Sequence, residues 1–99
     1  MKLILDDRRP VPDGPYNCVR SYKECVEFLQ IFRTISFISL DYDLGSTETG
    51  LDVLTYMRDN SISPSHINIH SDHKVGVPLM KKYVEEHFSK SRLTFNPLN

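Results

Sequence analysis

The chain has 99 residues, of which 39% are hydrophobic, and this predicts one small domain with a single core, residues 1–99. Its 12 basic and 13 acidic residues give a net charge of -1, which excludes a general attraction to long nucleic acid or to anionic membranes. Apolar runs are only strand-length, and Cys18 and Cys25 lie in no paired-cysteine motif, so we expect no membrane span, no signal peptide and a cytoplasmic location.

The first half of the chain alternates between strand and helix patterns. Residues 2–6 form an apolar run typical of a short buried strand, and a second strand is predicted at about 17–20. Three prolines and a glycine within residues 8–15 exclude a helix there, because proline lacks the amide hydrogen and glycine favours turns. Ser21 and Glu24 form a capping box that begins an amphipathic helix.

The second half continues this alternation. A central strand is predicted at residues 35–40, where serines separate apolar residues in a pattern that suits burial on both faces. The remaining elements are a helix over residues 50–60, a strand over 66–70, a helix over about 74–90 and a final strand near Leu93 and Phe95. Strands that alternate with helices predict an α/β fold with a parallel sheet.

Acidic residues follow two of the predicted strands. Asp6 and Asp7 come after the first strand, and Asp41 and Asp43 come after the central strand. The carboxyl ends of parallel strands meet at one edge of the sheet, where ligands bind. Four converging carboxylates favour a divalent cation, Mg²⁺ or Mn²⁺, because hard oxygen ligands suit these ions. The alternative is that the acids accept hydrogen bonds from turn amides, which explains one such acid well but not four.

His70 and Ser71 follow the fourth predicted strand. A magnesium site of this kind usually recruits a phosphate, whose oxygens a serine hydroxyl and helix amides can bind. A neutral imidazole can move a proton, so His70 is a candidate catalytic residue, and His73 could do the same work. The alternative is that Ser71 caps the last helix and His70 is a buried polar residue.

Arg8, Arg9 and Asn96 are further candidates for phosphate binding. The two arginines follow the first acidic pair, and a planar guanidinium fork suits a phosphate dianion. The alternative is that they form a solvated pair with a salt bridge to an acid. Asn96 follows the final strand and brings a polar group to the same edge of the sheet.

Taken together, these motifs resemble those of response-regulator receiver domains. A narrower family, the cyclic-phosphate-processing receiver domains, is more similar still. The similarity is carried by LDDRRP at residues 5–10, SLDYDLG at 39–45 and IHSDHKVG at 69–76, and it extends from Lys2 to about Pro97. Receivers carry a lysine where this chain has Asn96, and a helix where it has the proline-rich stretch.

The resemblance implies both a fold and a set of site residues. The fold is a three-layer, flavodoxin-like α/β structure with a parallel five-stranded sheet in the order 2-1-3-4-5 and a proline-rich loop in place of the first helix. The metal ligands that it implies are Asp7, Asp41 and Asp43, and Ser71 is the hydroxyl that binds phosphoryl oxygens. From the residues themselves we predict Asp6, Asp41 and His70 as catalytic, and Arg8, Arg9 and Asn96 as further phosphate-binding residues.

Two classes of function remain open at this point. The first is a metal-dependent domain that binds or acts on phosphate groups, as a phosphoesterase for cyclic-phosphate ends of RNA or nucleotides. The second is a non-catalytic signalling or adaptor protein, bacterial or phage, that binds a phosphorylated ligand or a protein partner. By analogy with receivers, a homodimer or partner contact is expected through the last helix and strand. This chain has Asn96 where receivers carry a lysine, which argues against ordinary switching by phosphorylation.

Overall fold

A computed structural model describes residues 1–98, so that Asn99, the last residue of the predicted domain range, lies outside the described part. Its elements are β1 (Lys2–Leu5), β2 (Tyr16–Val19), α1 (Tyr22–Ile31), β3 (Phe37–Leu40), α2 (Gly50–Asp59), β4 (His66–Ile69), α3 (Gly76–His87) and β5 (Arg92–Thr94). The predicted order of strands and helices is therefore confirmed.

All five strands belong to one parallel sheet with the order β2-β1-β3-β4-β5, which confirms the predicted α/β receiver-like fold. In its register, Leu5 of β1 lies opposite Leu40 of β3, and Leu40 lies opposite Ile69 of β4. The three strands therefore end level with one another. The residues that follow them come side by side at the carboxyl edge of the sheet, where parallel α/β folds bind ligands.

The three helices pack on one face of this sheet. Helix α2 contacts both α1 and α3, so the helices form a single layer. Each helix buries an apolar stripe, which an amphipathic sequence dictates. The stripes consist of Cys25 and Leu29 in α1, Val53, Leu54 and Met57 in α2, and Met80 and Val84 in α3. Against them pack alternate strand residues, namely Leu3, Leu5, Ile38, Leu40, Ile67 and Ile69.

The opposite face of the sheet carries a groove. Ser39 and Asn68 point to this face and are buried, and the groove above them is bordered by Pro12 and Leu98. Residues 6–15, between β1 and β2, contain no helix. Within residues 1–98, helices therefore lie on only one face of the sheet, and a layer formed by the proline-rich loop stays a prediction.

Gly50 fixes the loop that follows β3. Its amide donates a hydrogen bond to the carbonyl oxygen of Tyr42 at 2.9 Å. A Cβ atom at this residue would overlap the main-chain oxygen of Asp41, so only glycine permits the approach. Asp43 and Thr49 form a bridge across the same loop. Asp41 and Asp43 are thus held by a short, anchored segment between β3 and α2.

Both cysteines are free thiols. Burial raises the pKa of the Cys25 thiol to about 12, which is typical of a core side chain and not of a reactive one. Among residues 1–98, no helix combines the length and the apolar character that crossing a membrane requires. The cytoplasmic location stays a prediction.

Candidate functional site

A cleft of about 190 Å³ opens at the carboxyl edge of the sheet, where the strand order reverses between β1 and β3. Six predicted site residues line it, namely Asp7, Arg8, Arg9, Asp41, Asp43 and Ser71. Gly45, Asp72 and His73 complete the lining. The other three predicted site residues, Asp6, His70 and Asn96, lie outside the lining of this cleft.

Asp41 is the buried carboxylate of the cleft, with a side chain 9% exposed. Its Oδ2 lies 3.4 Å from Nη1 of Arg9. Burial raises the pKa of Asp41, and the neighbouring Asp6 raises it further, although the Ser71 hydroxyl, His70 and Arg9 oppose both effects. The negative charge of Asp41 is therefore incompletely compensated by the protein, which favours an additional cation nearby.

Asp7 and Asp43 reach the cleft from separate loops. Oδ1 of Asp43 accepts a hydrogen bond from the Gly45 amide at 2.9 Å. A Cβ atom on Gly45 would lie 3.1 Å from Oδ2 of Asp7, and the residue has a left-handed φ of 71°. Glycine therefore suits both the turn and the close approach of the Asp7 carboxylate. The two loops bring their carboxylates toward the same space.

Asp6 is fully buried, and its carboxylate is saturated with hydrogen bonds. Oδ1 accepts from the amides of Arg8 at 2.9 Å and Arg9 at 2.8 Å. Oδ2 accepts from Nη1 of Arg9 at 3.2 Å and lies 3.0 Å from Nε2 of His70. These contacts occupy the roughly four acceptor sites of a carboxylate. Burial alone would raise the pKa of Asp6, but the amides of Arg9 and Arg8, together with His70, lower it below its ordinary value.

Arg20, at the end of β2, holds the loop that carries these donors. Its Nη1 donates to the main-chain oxygen of Arg9 at 2.6 Å and to that of Asp6 at 3.3 Å. No sequence motif marks Arg20, because its contacts with the loop after β1 depend on the pairing of β1 with β2. Arg20 therefore helps to place Arg9 beside the acidic residues.

His70 is bonded at both ring nitrogens, and its side chain is 0% exposed. A carboxylate only accepts, so Nε2 carries the hydrogen and donates to Asp6. Nδ1 lies 2.7 Å from Oγ of Ser39, which also accepts from Nδ2 of Asn68 at 2.9 Å. In the neutral ring Nδ1 has no hydrogen, so it accepts the hydroxyl hydrogen of Ser39. Burial lowers the pKa of His70, which agrees with this neutral form. This geometry favours a positioning role for His70 over the predicted proton transfer.

Asp6, Asp41 and His70 also offer potential ligand atoms that lie within 4.8 Å of one another. However, Asp6 and both nitrogens of His70 are already bonded, so an ion would have to displace existing hydrogen bonds. The oxygen ligands that line the cleft suit a hard cation better. The catalytic roles assigned to Asp6 and His70 stay predictions. Both residues are buried, and neither lines the cleft that Asp41 faces.

Comparison with known protein families agrees with the features of this site. A family model described as "Cyclic-phosphate processing Receiver domain" matches residues 1–86 of the 99. The chain belongs to this family. The resemblance predicted from the three sequence motifs is therefore confirmed, and it supports a phosphate-related receiver function. No curated protein and no solved structure matches the chain.

In this receiver domain, Asn96 lies away from the cleft. Its amide donates to Oδ1 of Asn68 at 2.9 Å, and its carbonyl oxygen accepts from Nδ2 of Asn68 at 2.8 Å. It borders the groove on the face of the sheet opposite the helices. The phosphate-binding role predicted for Asn96 therefore lacks geometric support. The position of Asn96 depends on the path of the chain after β5, and no local sequence pattern predicts that path.

Ser71 and His73, which precede α3, make contacts that the sequence did not predict. The cap residue of α3 is Val75, so Ser71 does not cap this helix. Instead, Oγ of Ser71 accepts a hydrogen bond from the His73 amide at 3.1 Å. The ring of His73 lies 4.6 Å from that of Tyr42, which the sequence analysis did not single out. Gly76 is the sequence feature that fits this contact, because a Cβ atom at residue 76 would overlap the Tyr42 ring.

We expect the receiver domain to lose stability in steps as the pH falls. The lowered pKa of His70 means that its stabilisation is complete above about pH 6.5 and is lost as the pH falls toward the folded-state pKa. His66, whose pKa is lowered by burial, acts in the same direction. The lowered pKa of Asp6 adds a second loss that begins below about pH 4.

Urea unfolding of the wild type and His70→Asn from about pH 8 to pH 4 measures this dependence. The variant should lose less stability than the wild type between about pH 6.5 and pH 5, because the contribution of His70 is then absent. Parallel profiles for the two proteins would exclude His70 as the source of the pH dependence.

Proposed function

We propose that the cleft binds Mg²⁺ or Mn²⁺ through Asp7, Asp41 and Asp43. The donor set supports this proposal, because the carboxylates of Asp7, Asp41 and Asp43 line one small cleft and offer the hard oxygen ligands that these ions prefer. The raised pKa of Asp41 is a second reason, since a cation would relieve the effects of burial and of the Asp6 charge. The residues present therefore fit a magnesium-type ion.

The same cleft carries groups that suit a phosphate. Arg8, Arg9 and Ser71 line it beside the three carboxylates. A guanidinium presents paired N–H donors that match two phosphate oxygens, and charge-assisted hydrogen bonds of this kind are about twice as strong as neutral ones. Arg9 is already oriented by Asp6 and Asp41, so its fork is partly ordered before a ligand arrives.

We infer that the protein processes the cyclic-phosphate ends of RNA or nucleotides in this cleft. The observation that carries the inference is the convergence of Asp7, Asp41 and Asp43 with two arginines and a serine in one cleft of a cyclic-phosphate processing family member. A bound divalent ion would polarise the phosphoryl group. Arg8, Arg9 and Ser71 would bind its oxygens, while Asp6 and His70 keep Arg9 and the strand ends in place. We further propose that residues 1–99 act as one domain in the cytoplasm.

A second candidate is a non-catalytic signalling or adaptor protein that binds a phosphorylated ligand or partner. Arg9 favours it, because its guanidinium places a cation 3.4 Å from Asp41, the residue on which receivers accept a phosphoryl group. The described lining of the cleft contains no lysine that could play this part. Val75 and Leu79 of α3 are exposed and offer a surface for a partner or a second copy.

Two assays in Mg²⁺ or Mn²⁺ distinguish these functions. In the first, a short RNA that ends in a cyclic phosphate is incubated with the protein, and ring opening is followed by ³¹P NMR. In the second, acetyl phosphate is added, and Asp41 is examined for a covalent label by mass spectrometry. We expect metal-dependent ring opening that is lost in Asp41→Asn but kept in Asp13→Asn, a control at an exposed residue of the proline-rich loop.

Labelling of Asp41 without ring opening would support the signalling function instead. If neither reaction occurs and neither metal raises the melting temperature, the metal site, the ring-opening activity and phosphoryl transfer to Asp41 are all wrong. The control variant separates loss of one negative charge from loss of a cleft carboxylate.

A further inference from the structure

We propose that His73, as a neutral imidazole, donates a hydrogen bond from Nε2–H to a phosphate oxygen in the cleft. This assignment rests on the proposed function, and it adds a ligand-binding residue that acts as a donor and not as a base. It would also decide between the two histidines that follow β4, which the sequence left as alternatives.

The two histidines differ in what they present to the cleft. His73 is exposed and lines the cleft together with Ser71 and the arginines. His70 is fully buried, and its nitrogens are engaged by Asp6 and Ser39. Only His73 can therefore meet a ligand without a rearrangement of the buried hydrogen bonds.

The hydrogen bonding of His73 decides which of its nitrogens carries the hydrogen. The Gly76 amide at the start of α3 donates to Nδ1 of His73 at 2.9 Å. A nitrogen that accepts a hydrogen bond has no hydrogen of its own, so the neutral ring carries its hydrogen on Nε2. Phosphate oxygens accept hydrogen bonds, so this Nε2–H can donate to one of them.

The same hydrogen bond argues against a role as general base. In this tautomer the only basic nitrogen is Nδ1, and it faces the Gly76 amide. Protonation of Nδ1 would break that bond and place two donors face to face. His73 is therefore suited to bind and orient a phosphate and not to remove a proton from water.

Packing holds the His73 ring in a fixed place. Its ring centroid lies 4.6 Å from that of Tyr42, with an angle of 42° between the planes. Gly76 lets the Tyr42 ring approach, because any Cβ atom there would overlap it. The His73 amide donates to Oγ of Ser71 at 3.1 Å, so the hydroxyl and the imidazole belong to one ordered turn. Such support lowers the entropy cost of binding.

Long-range ¹H–¹⁵N NMR of the wild type with ¹⁵N-labelled histidine reads the tautomer directly. We expect the Nε2–H pattern for His73 in the free protein. Addition of inorganic phosphate with Mg²⁺ should shift the His73 Nε2 resonance. An Nδ1–H tautomer, or a resonance that phosphate leaves unchanged at saturation, would overturn the assignment.

Calorimetric binding of inorganic phosphate in Mg²⁺ tests the contribution of the side chain. His73→Asn keeps an acceptor near the Gly76 amide but lacks a donor at the Nε2 position. It should bind phosphate about tenfold more weakly, as expected for loss of one hydrogen bond to a charged group, with an unchanged affinity for Mg²⁺ alone. The control His87→Asn, at the far end of α3, should bind phosphate like the wild type.

The outcomes separate this inference from the proposed function. Equal phosphate affinities for the wild type and His73→Asn would overturn the role of His73 alone. Weaker binding of both Mg²⁺ and phosphate would show that His73 only maintains the fold, which also overturns the role. A wild-type protein that binds no phosphate in Mg²⁺ would overturn the proposed function and this inference with it.

Discussion

Replacement of Asp6 by Asn should destabilise the protein by about 3 kcal/mol, the scale expected when buried hydrogen-bond donors lose a charged acceptor. The carboxylate accepts from the amides of Arg8 and Arg9, from the Arg9 guanidinium and from His70. An amide side chain can serve the first two donors through its oxygen. Its NH₂ group would then face the Arg9 guanidinium and the His70 N–H, which are donors as well.

Urea unfolding at neutral pH measures this effect, with Asp13→Asn as the matched control. Asp13 lies in the same loop and is exposed, so its variant should stay within about 0.5 kcal/mol of the wild type. Equal stabilities of the two variants would mean that the hydrogen bonds of Asp6 do not hold the loop. The loss in Asp6→Asn should also be smaller below about pH 4, because Asp6 of the unfolded wild type then takes up a proton more readily than the folded protein, whose Asp6 has a lowered pKa.

Replacement of Asp41 by Asn should have the opposite effect and raise the stability of the metal-free protein by about 1 kcal/mol. Burial and the nearby Asp6 charge raise the pKa of Asp41, so its ionised form is less favourable in the folded protein than in the unfolded chain. Asparagine removes this charge, and Arg9 keeps its contact with Asp6. The gain should be largest at neutral pH and should shrink as the wild-type Asp41 becomes protonated in acid.

Melting temperatures in chelator and in excess Mg²⁺ test both parts of this prediction. In chelator, Asp41→Asn should melt above the wild type. Excess Mg²⁺ should raise the melting temperature of the wild type but leave that of the variant nearly unchanged, because a ligand stabilises only the protein that binds it. A variant that melts below the wild type in chelator would contradict the argument that the acidic residues repel one another.

The contrast between Asp6 and Asp41 shows what sequence can and cannot predict. Local patterns gave the strands, because apolar runs and their alternation reflect burial within one element. The parallel sheet then placed the acids at one edge, as the register of β1 and β3 confirms. Which acid faces the cleft depends on the loop of residues 6–15, whose amides and Arg9 enclose Asp6. No periodicity describes that loop.

Buried polar residues were the second limit of the sequence analysis. Hydrogen bonds connect side chains of β3, β4 and β5 with those of the residues that follow β4 and β1. The connected side chains are, in order, His66, Thr94, Asn68, Ser39, His70 and Asp6. Each polar group here is satisfied by a partner from a distant part of the chain, so the pattern emerges only in the folded protein. The part that His70 plays in these hydrogen bonds could therefore not be predicted from the sequence, and its catalytic role stays a prediction.

The position of the bound metal tests the central claim most directly. Backbone ¹⁵N–¹H NMR spectra of the wild type in substoichiometric Mn²⁺ report distance from the ion, because the paramagnetic ion broadens nearby amide signals. We expect the signals of Asp7, Asp41, Asp43 and Gly45 to disappear first, while that of Asp13 persists, and we expect excess Mg²⁺ to restore them. Uniform broadening, or broadening centred away from this cleft, would contradict a metal site formed by the three carboxylates.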